Sequence, residues 1–166
     1  MTLKLTNVEA ILAVDLLNGL AKNHIIPWKN NTDMKFFKNK TLNHIVVMGI
    51  KTLLSLPNGL PLKNRTNIVI TSQKEKYSNI YKNINNLYFF DLKQIINIIK
   101  QNTNNTFYII GGNQIYNLLL PYCSTIWLTK IKQIYDCDLI FNYDISSYKK
   151  EIIYEDNELA IMCLHP

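Results

Sequence analysis

Cysteine is scarce in this chain: Cys123, Cys137 and Cys163 are all it has. An odd number at wide spacing supports neither a disulfide framework nor a zinc site, so a reducing compartment is the simpler setting. Histidine is equally sparse, and His24, His44 and His165 are scattered, which argues against a metal site. No apolar run approaches the roughly 20 residues a membrane helix requires. The N-terminus lacks a signal-peptide pattern, because Val8 to Val14 is too short and contains Glu9. There is no internal repeat and no Pro- or Ser-rich linker. Acids are outnumbered by bases, 12 to 18, and the formal net charge of +6 suits an anionic partner: a phosphorylated cofactor, a carboxylate-bearing substrate or nucleic acid. At 166 residues with 48% hydrophobic content, the chain reads as one soluble, cytoplasmic domain spanning 1–166.

Along the chain, strand-like and helix-like segments alternate. Val8 to Val14 reads as a buried strand, followed by an Asn18-Gly19 turn and a long loop. A helix is expected over about residues 32–41. His44 to Met48 is a second apolar run, and a helical segment from Lys51 to Leu56 stops at Pro57-Asn58-Gly59. Asn67 to Thr71 is a third strand, rich in β-branched residues, and Leu87 to Phe90 a short fourth. Asp91 caps a helix in which Leu92, Ile95, Ile96 and Ile99 line one face. Thr106 to Ile110 is a fifth strand, Gln114 to Leu120 a helix and Thr125 to Ile131 a sixth strand. Two late strands near 150–155 and 158–164 join through Asp156-Asn157 as a hairpin. Alternation of this kind predicts an α/β fold with three layers: a mostly parallel sheet of about eight strands with an antiparallel C-terminal hairpin, flanked by about four helices.

Three strand ends offer groups for a phosphate: Gly49-Ile50-Lys51-Thr52, Thr71-Ser72-Gln73-Lys74 and Gly111-Gly112. In parallel sheets ligands bind at the carboxyl ends of strands. The glycine pair is not a dinucleotide fingerprint by itself, since Asn113 follows where a third glycine is needed.

The stretch Ile25-Ile26-Pro27-Trp28-Lys29-Asn30-Asn31-Thr32-Asp33-Met34-Lys35-Phe36-Phe37 places one carboxylate among large apolar side chains. Asn31 or Thr32 can cap the helix whose first turn holds Asp33. Asp33 and Phe37 are four apart and share a face. An acid beside an aromatic suits a flat ligand with a polar edge. The plainer alternative is an acid favoured by the helix dipole.

Taken in order, these segments resemble dihydrofolate reductase over nearly the whole chain. The resemblance is carried by Ile11-Leu12-Ala13-Val14, by Asn18-Gly19-Leu20-Ala21 leading to Ile26-Pro27-Trp28, and by Asp33 five residues later. It continues through Met48-Gly49, Pro61-Leu62 with Arg65, Ile110-Gly111-Gly112 with Tyr116, Trp127-Leu128-Thr129 and Asp138. It implies hydride transfer from NADPH to dihydrofolate, giving tetrahydrofolate for one-carbon and thymidylate metabolism. Asp33 matches the acid that hydrogen-bonds the pterin, Thr129 the threonine that orients it, and Trp28 the indole that holds an ordered water. Ile11, Ala13, Met34, Phe37, Leu56, Leu62 and Ile110 match the walls of the substrate pocket. Arg65 matches the arginine for the glutamate tail, where a guanidinium fork suits a carboxylate. Ala13, Leu20, Gly49, Lys51, Thr52, Ser72, Gly111, Gly112, Gln114 and Tyr116 match cofactor contacts. The resemblance also implies a monomer that binds antifolate inhibitors, and neither a nucleic-acid nor a membrane partner.

The chain departs from the family pattern in places. Ala21 replaces the second loop glycine, and Leu53 replaces a commonly aromatic residue. Ile50 and Gln114 stand where many members carry a base near the cofactor's 2′-phosphate, which leaves Lys51, Thr52, Ser72 and Lys74 to supply it. Asp138 is read as a loop acid outside the site. Two alternatives stay open: a basic, non-catalytic binder of RNA or a pterin on the same scaffold, and a reductase of a pyrimidine-like substrate, as in riboflavin-pathway reductases.

Overall fold

The computed structural model describes residues 2–166. Its strands are β1 (Leu5–Val14), β2 (Gly19–Ala21), β3 (Ile45–Gly49), β4 (Thr66–Ile70), β5 (Leu87–Phe90), β6 (Phe107–Gly111), β7 (Cys123–Ile131), β8 (Leu139–Ile140), β9 (Lys149–Glu155) and β10 (Leu159–His165). Its helices are α1 (Asn31–Thr41), α2 (Ile50–Ser55), α3 (Lys74–Ile80), α4 (Leu92–Gln101) and α5 (Asn113–Leu119). Eight strands form one sheet in the order β5-β4-β3-β6-β1-β7-β10-β9. Pairings from β5 through β7 are parallel, while β10 runs antiparallel to both β7 and β9. This is the expected α/β layout with its antiparallel end.

Alternation along β1 divides the core. Val8, Ala10, Leu12 and Val14 face the layer built by Ile95 and Ile99 of α4 and by Ile115 and Leu119 of α5. Ile11 faces the other way, toward Leu53 of α2 and Phe36 and Phe37 of α1. Period-two alternation with apolar residues on both faces is what a central strand covered on both sides requires. Phe107, Ile109 and Ile126 are fully buried, each stabilising the fold by roughly 2 kcal/mol through area removed from water. The α4 start is set by a capping box: Asp91 accepts from the Gln94 N–H and the Gln94 side chain accepts from the Asp91 N–H.

One sequence expectation is corrected and two features went unforeseen. Lys74–Ile80 is helical, which makes five α-helices where about four were expected. That helix buries none of its residues and has no side-chain cap, so it left no periodic signal; Tyr77 anchors it by stacking on Phe89. The α1 cap is Asn30, whose Oδ1 accepts the Asp33 N–H at 2.9 Å, in place of Asn31 or Thr32. A second, two-stranded sheet of β2 and β8 was not foreseen, since two or three residues carry no alternation.

At the opposite end of the sheet, every residue of β9 is exposed, including Ile152, Ile153 and Tyr154. The strand begins with Lys149 and Lys150, and its register with β10 shifts at Ile153. No helix among the described residues is long and apolar enough to cross a membrane.

Candidate active site

The carboxyl ends of β1, β3, β4 and β6 open into a cleft of ≈ 880 Å³. Volumes of this size hold a cofactor and a substrate-sized ligand. One wall is α1, which presents Asp33, Met34 and Phe37; the floor is Ile11 and Ala13 of β1 with Ile110 of β6. Leu56 closes the side next to α2. The Asn30 cap fixes where α1 starts and therefore where Asp33 points. Burial pushes the Asp33 carboxyl above its ordinary pKa, with the Thr129 hydroxyl pulling the other way. Thr129, itself buried, stands opposite Ala13 in the β1–β7 register.

The other end of the cleft is built from two glycine corners. Gly49 ends β3 and starts α2; Gly111 and Gly112 end β6 and start α5. Neither helix start has a side-chain cap, whereas α1 and α4 are capped by Asn30 and Asp91. Their first N–H groups are thus left for a ligand. The corners face each other: a Cβ on Gly112 would lie 3.6 Å from the Thr52 Oγ1, and one on Gly111, where φ is +119°, would lie 3.2 Å from the Tyr116 hydroxyl. Tyr116 is held in place by donating to the Ile11 carbonyl at 3.0 Å. Two open helix starts, close backbone approach and the Thr52 hydroxyl fit the diphosphate of a dinucleotide cofactor.

Within the stretch read from sequence as a long loop, a short hairpin stands over this cleft. Lys22 and Ile25 exchange backbone hydrogen bonds of 2.8 and 3.0 Å, with Asn23 and His24 at positive φ on the tip. That is the two-residue turn in which Asn is favoured. Asp138 fastens it: its Oδ2 accepts the Asn23 N–H at 2.9 Å, and its own N–H donates to the Ala21 carbonyl. Asp138, read from sequence as lying outside the site, stands on the cleft rim with Asn23, His24 and Ile26.

Beneath the hairpin lies Asp15, only 1% exposed. Its Oδ1 accepts the N–H groups of Leu17 and Gly19 at 2.9 and 2.8 Å, and its Oδ2 accepts from the Tyr135 N–H at 3.0 Å and the Cys137 thiol at 3.7 Å. Burial raises its pKa, but the backbone donors from Tyr135, Gly19 and Leu17 outweigh it and leave the carboxyl below its ordinary value. A depressed acid stabilises the fold above its unfolded pKa and loses that contribution as pH falls through the folded one. The hairpin's footing therefore weakens on the acid side of the ordinary carboxylate range.

Not every expected residue lines the cleft. Ile11, Ala13, Leu20, Asp33, Met34, Phe37, Gly49, Lys51, Thr52, Leu56, Ile110, Gly111, Gly112, Gln114 and Tyr116 do; Trp28, Leu62, Arg65, Ser72 and Thr129 stand outside its walls. Trp28 is buried with Ile131, Leu159 and Ile161, and its indole N–H has no protein partner. Arg65 donates from Nε to the Thr41 hydroxyl at 3.2 Å and from Nη1 to the Lys63 carbonyl at 2.8 Å. Since Thr41 ends α1, the guanidinium is tied to the helix that carries Asp33. Lys74, one of the cations left to serve a phosphate, is instead paired with Asp91 at 3.3 Å and Gln94 at 2.9 Å. Asn67 was overlooked. This fully buried amide accepts the Leu62 N–H and donates to the carbonyls of Leu62, Arg65 and Asn86, so it fixes the segment that carries Arg65. Its signal was a lone amide in an apolar strand, which burial obliges to find partners.

A desolvated carboxyl above an apolar floor at one end, with phosphate-ready helix starts at the other, defines an enzyme of the α/β class that works on a flat heterocycle with a dinucleotide cofactor. A family model described as Dihydrofolate reductase matches residues 7–159. The dihydrofolate reductase of Ureaplasma parvum is 30% identical over 151 residues, covering 90% of this chain and 92% of that protein. The dihydrofolate reductase of Bacillus subtilis is 32% identical, covering 86% of this chain and 80% of its own length. In fold, the chain matches a structure of dihydrofolate reductase from Enterococcus faecalis complexed with NADP(H) and RAB-propyl, with a TM-score of 0.76 and 24% identity over 99% of this chain and 98% of that one. The chain belongs to the dihydrofolate reductase family, the NADPH-dependent oxidoreductases that reduce dihydrofolate to tetrahydrofolate.

Proposed function

We propose that Asp33 is the acid on which turnover depends, and that the pterin lies across Ile11, Ala13 and Ile110 with its polar edge against that carboxyl. The observation that carries this is the place of Asp33, half-buried on the cleft wall where α1 opens onto the apolar floor of Ile11, Ala13 and Ile110. A carboxyl desolvated in such a place holds its proton more tightly than a free one and can hydrogen-bond an amino group and a ring nitrogen together. Thr129 orients Asp33 from β7. Trp28, with a buried and unpartnered N–H, holds a water on the same side. Phe37, Met34 and Leu56 contact the rest of the substrate, with Leu62 at its outer end. The hydride is what NADPH contributes when bound. For that cofactor the chain supplies the N–H groups after Gly49 and Gly112, with Thr52, Lys51, Ser72 and Gln114 around them. Tyr116 and Leu20 wall the reacting end, and the Asn23-His24 hairpin excludes water above it.

Arg65 pairs with the substrate's glutamate tail through the donor atoms left free by Thr41 and Lys63. Replacing it with Leu is expected to weaken dihydrofolate binding about 10- to 100-fold, in line with the loss of a charged hydrogen bond. NADPH binding should stay as it was. Equal weakening of both in paired titrations would remove Arg65 from the substrate site.

The reading as a whole is tested by following NADPH absorbance on addition of dihydrofolate, with and without an antifolate. Antifolate-sensitive oxidation is expected; a folded protein that binds NADPH yet oxidises none would point to another substrate. We further propose a monomer working in the cytoplasm. Three free cysteines, two of them buried, suit a reducing compartment.

A further inference from the structure

We infer that this cleft distinguishes NADPH from NADH only weakly, and that Lys51 carries the discrimination it has. The inference rests on the reductase reading above. The two nucleotides differ by one phosphate monoester, which carries about −1.5 to −2 charges at pH 7. Selecting for such a group takes cations or free donors aimed at it. The structure offers few. Two strand ends line the nucleotide half of the cleft, Gly49 to Thr52 and Gly111 to Gln114, and a third, Thr71 to Lys74, follows Ile70 at its edge. Only two of those residues are cations, Lys51 and Lys74.

Lys74 is committed elsewhere. Its ammonium lies 3.3 Å from Asp91 and 2.9 Å from Gln94, the two residues of the α4 capping box. It does not line the cleft, and its positive charge is neutralised at the spot by the Asp91 carboxylate. Ile50 turns its side chain against the core cluster around Val46, Met48 and Leu53, so the position next to Lys51 offers nothing polar. Gln114 lines the cleft as a neutral amide. The remaining charged residues on the walls are Asp33 and Asp138, both acids, and His24 stands on the hairpin whose tip Asp138 holds. Lys51 alone lines the cleft as a lysine, and it has no hydrogen-bond or ion-pair partner among the described residues.

One exposed lysine is a flexible, strongly hydrated point charge without the fixed fork of an arginine. A single solvent-exposed ion pair supports a preference of about 1.5- to 5-fold, at the low end in physiological salt. The shared diphosphate is held by the open starts of α2 and α5, which serve both nucleotides alike.

The test measures equilibrium binding of NADPH and of NADH to the full-length protein, without substrate, by quenching of tryptophan fluorescence. For the parent we expect a ratio of dissociation constants of about 3 in physiological salt, rising toward about 5 as salt is lowered. Lys51→Met should bring the ratio to about 1 through loss of NADPH affinity alone, and Lys51→Arg should keep the preference. Lys74→Met should leave it unchanged. A parent ratio above about 10, a ratio that survives Lys51→Met, or one that collapses in Lys74→Met would each overturn the inference. Equal weakening of both nucleotides in Lys51→Met would assign that lysine to the shared diphosphate and overturn it as well. A folded parent that binds neither nucleotide would instead remove the reductase reading, and this inference with it.

Discussion

Asp33→Asn is expected to lower turnover at pH 7 by about 100- to 10,000-fold, the range spanned by loss of a positioned acid or base. Cofactor binding should be untouched, because the glycine corners lie at the other end of the cleft. The variant should also be at least as stable as the parent, and the sign follows from the raised pKa. Over the window above the ordinary carboxylate pKa, the native protein keeps a proton that the unfolded chain has already released. Stability therefore falls as pH rises through that window, and at neutral pH the cost of burying the carboxylate is present. Asparagine is uncharged at every pH and removes the cost. Steady-state kinetics beside thermal melts at pH 7 check both halves. In the parent, the pH profile of kcat/KM should bend above the usual carboxylate range, and that bend should vanish in Asp33→Asn. A variant that turns over like the parent, or one that fails because it has unfolded, would each dismiss the assignment.

Gly19→Ala is expected to destabilise the fold by about 2 kcal/mol, the scale of overpacking a filled site. A Cβ on Gly19 would lie 2.5 Å from the Cys137 Cβ and 2.9 Å from the Asp15 Oδ1. Neither neighbour has slack, since Cys137 has a short side chain and Asp15 is fixed by three backbone donors. Turnover should suffer more than the bulk fold, because Leu20 and Ala21 follow directly and line the cleft. Cys137→Gly removes the nearest obstacle, so the double variant Gly19→Ala/Cys137→Gly should recover most of the loss. A double-mutant cycle in thermal or urea unfolding measures the coupling. Additive effects would mean that the loops yield separately and the contact carries no constraint.

Much of this was legible in the chain because strong local signals coincide with buried elements. The α4 face of Ile95 and Ile99, the Asp91 cap and the β-branched run of β4 each act through one helix or strand, so spacing alone exposes them. Asp33 was legible for a related reason: an acid among Met34, Phe36 and Phe37 is conspicuous in any register. The parts that escaped depend on partners far away in sequence. The Asp138 carboxylate meets Asn23 across 115 positions, and Tyr135 meets Asp15 across 120. No periodicity reports such a contact. Helix α3 escaped because it buries nothing, and the neutralised state of Lys74 because Asp91 comes beside it only once β5 is paired with β4. Arg65 was placed by resemblance, while the amide that fixes its segment, Asn67, was passed over as an ordinary strand residue.

The outermost strand has a bearing on how this protein meets other chains. A sheet that ends in an uncovered strand is a template on which another chain can crystallise, strand upon strand. Here that margin exposes about half of Ile152, Ile153 and Tyr154 to water. What discourages growth is the charge of Lys149 and Lys150 at its entrance and the kink where its register slips at Ile153. Resistance to strand-on-strand growth is therefore set at the sheet's outer border, by two ammonium groups that stand away from the cleft walls.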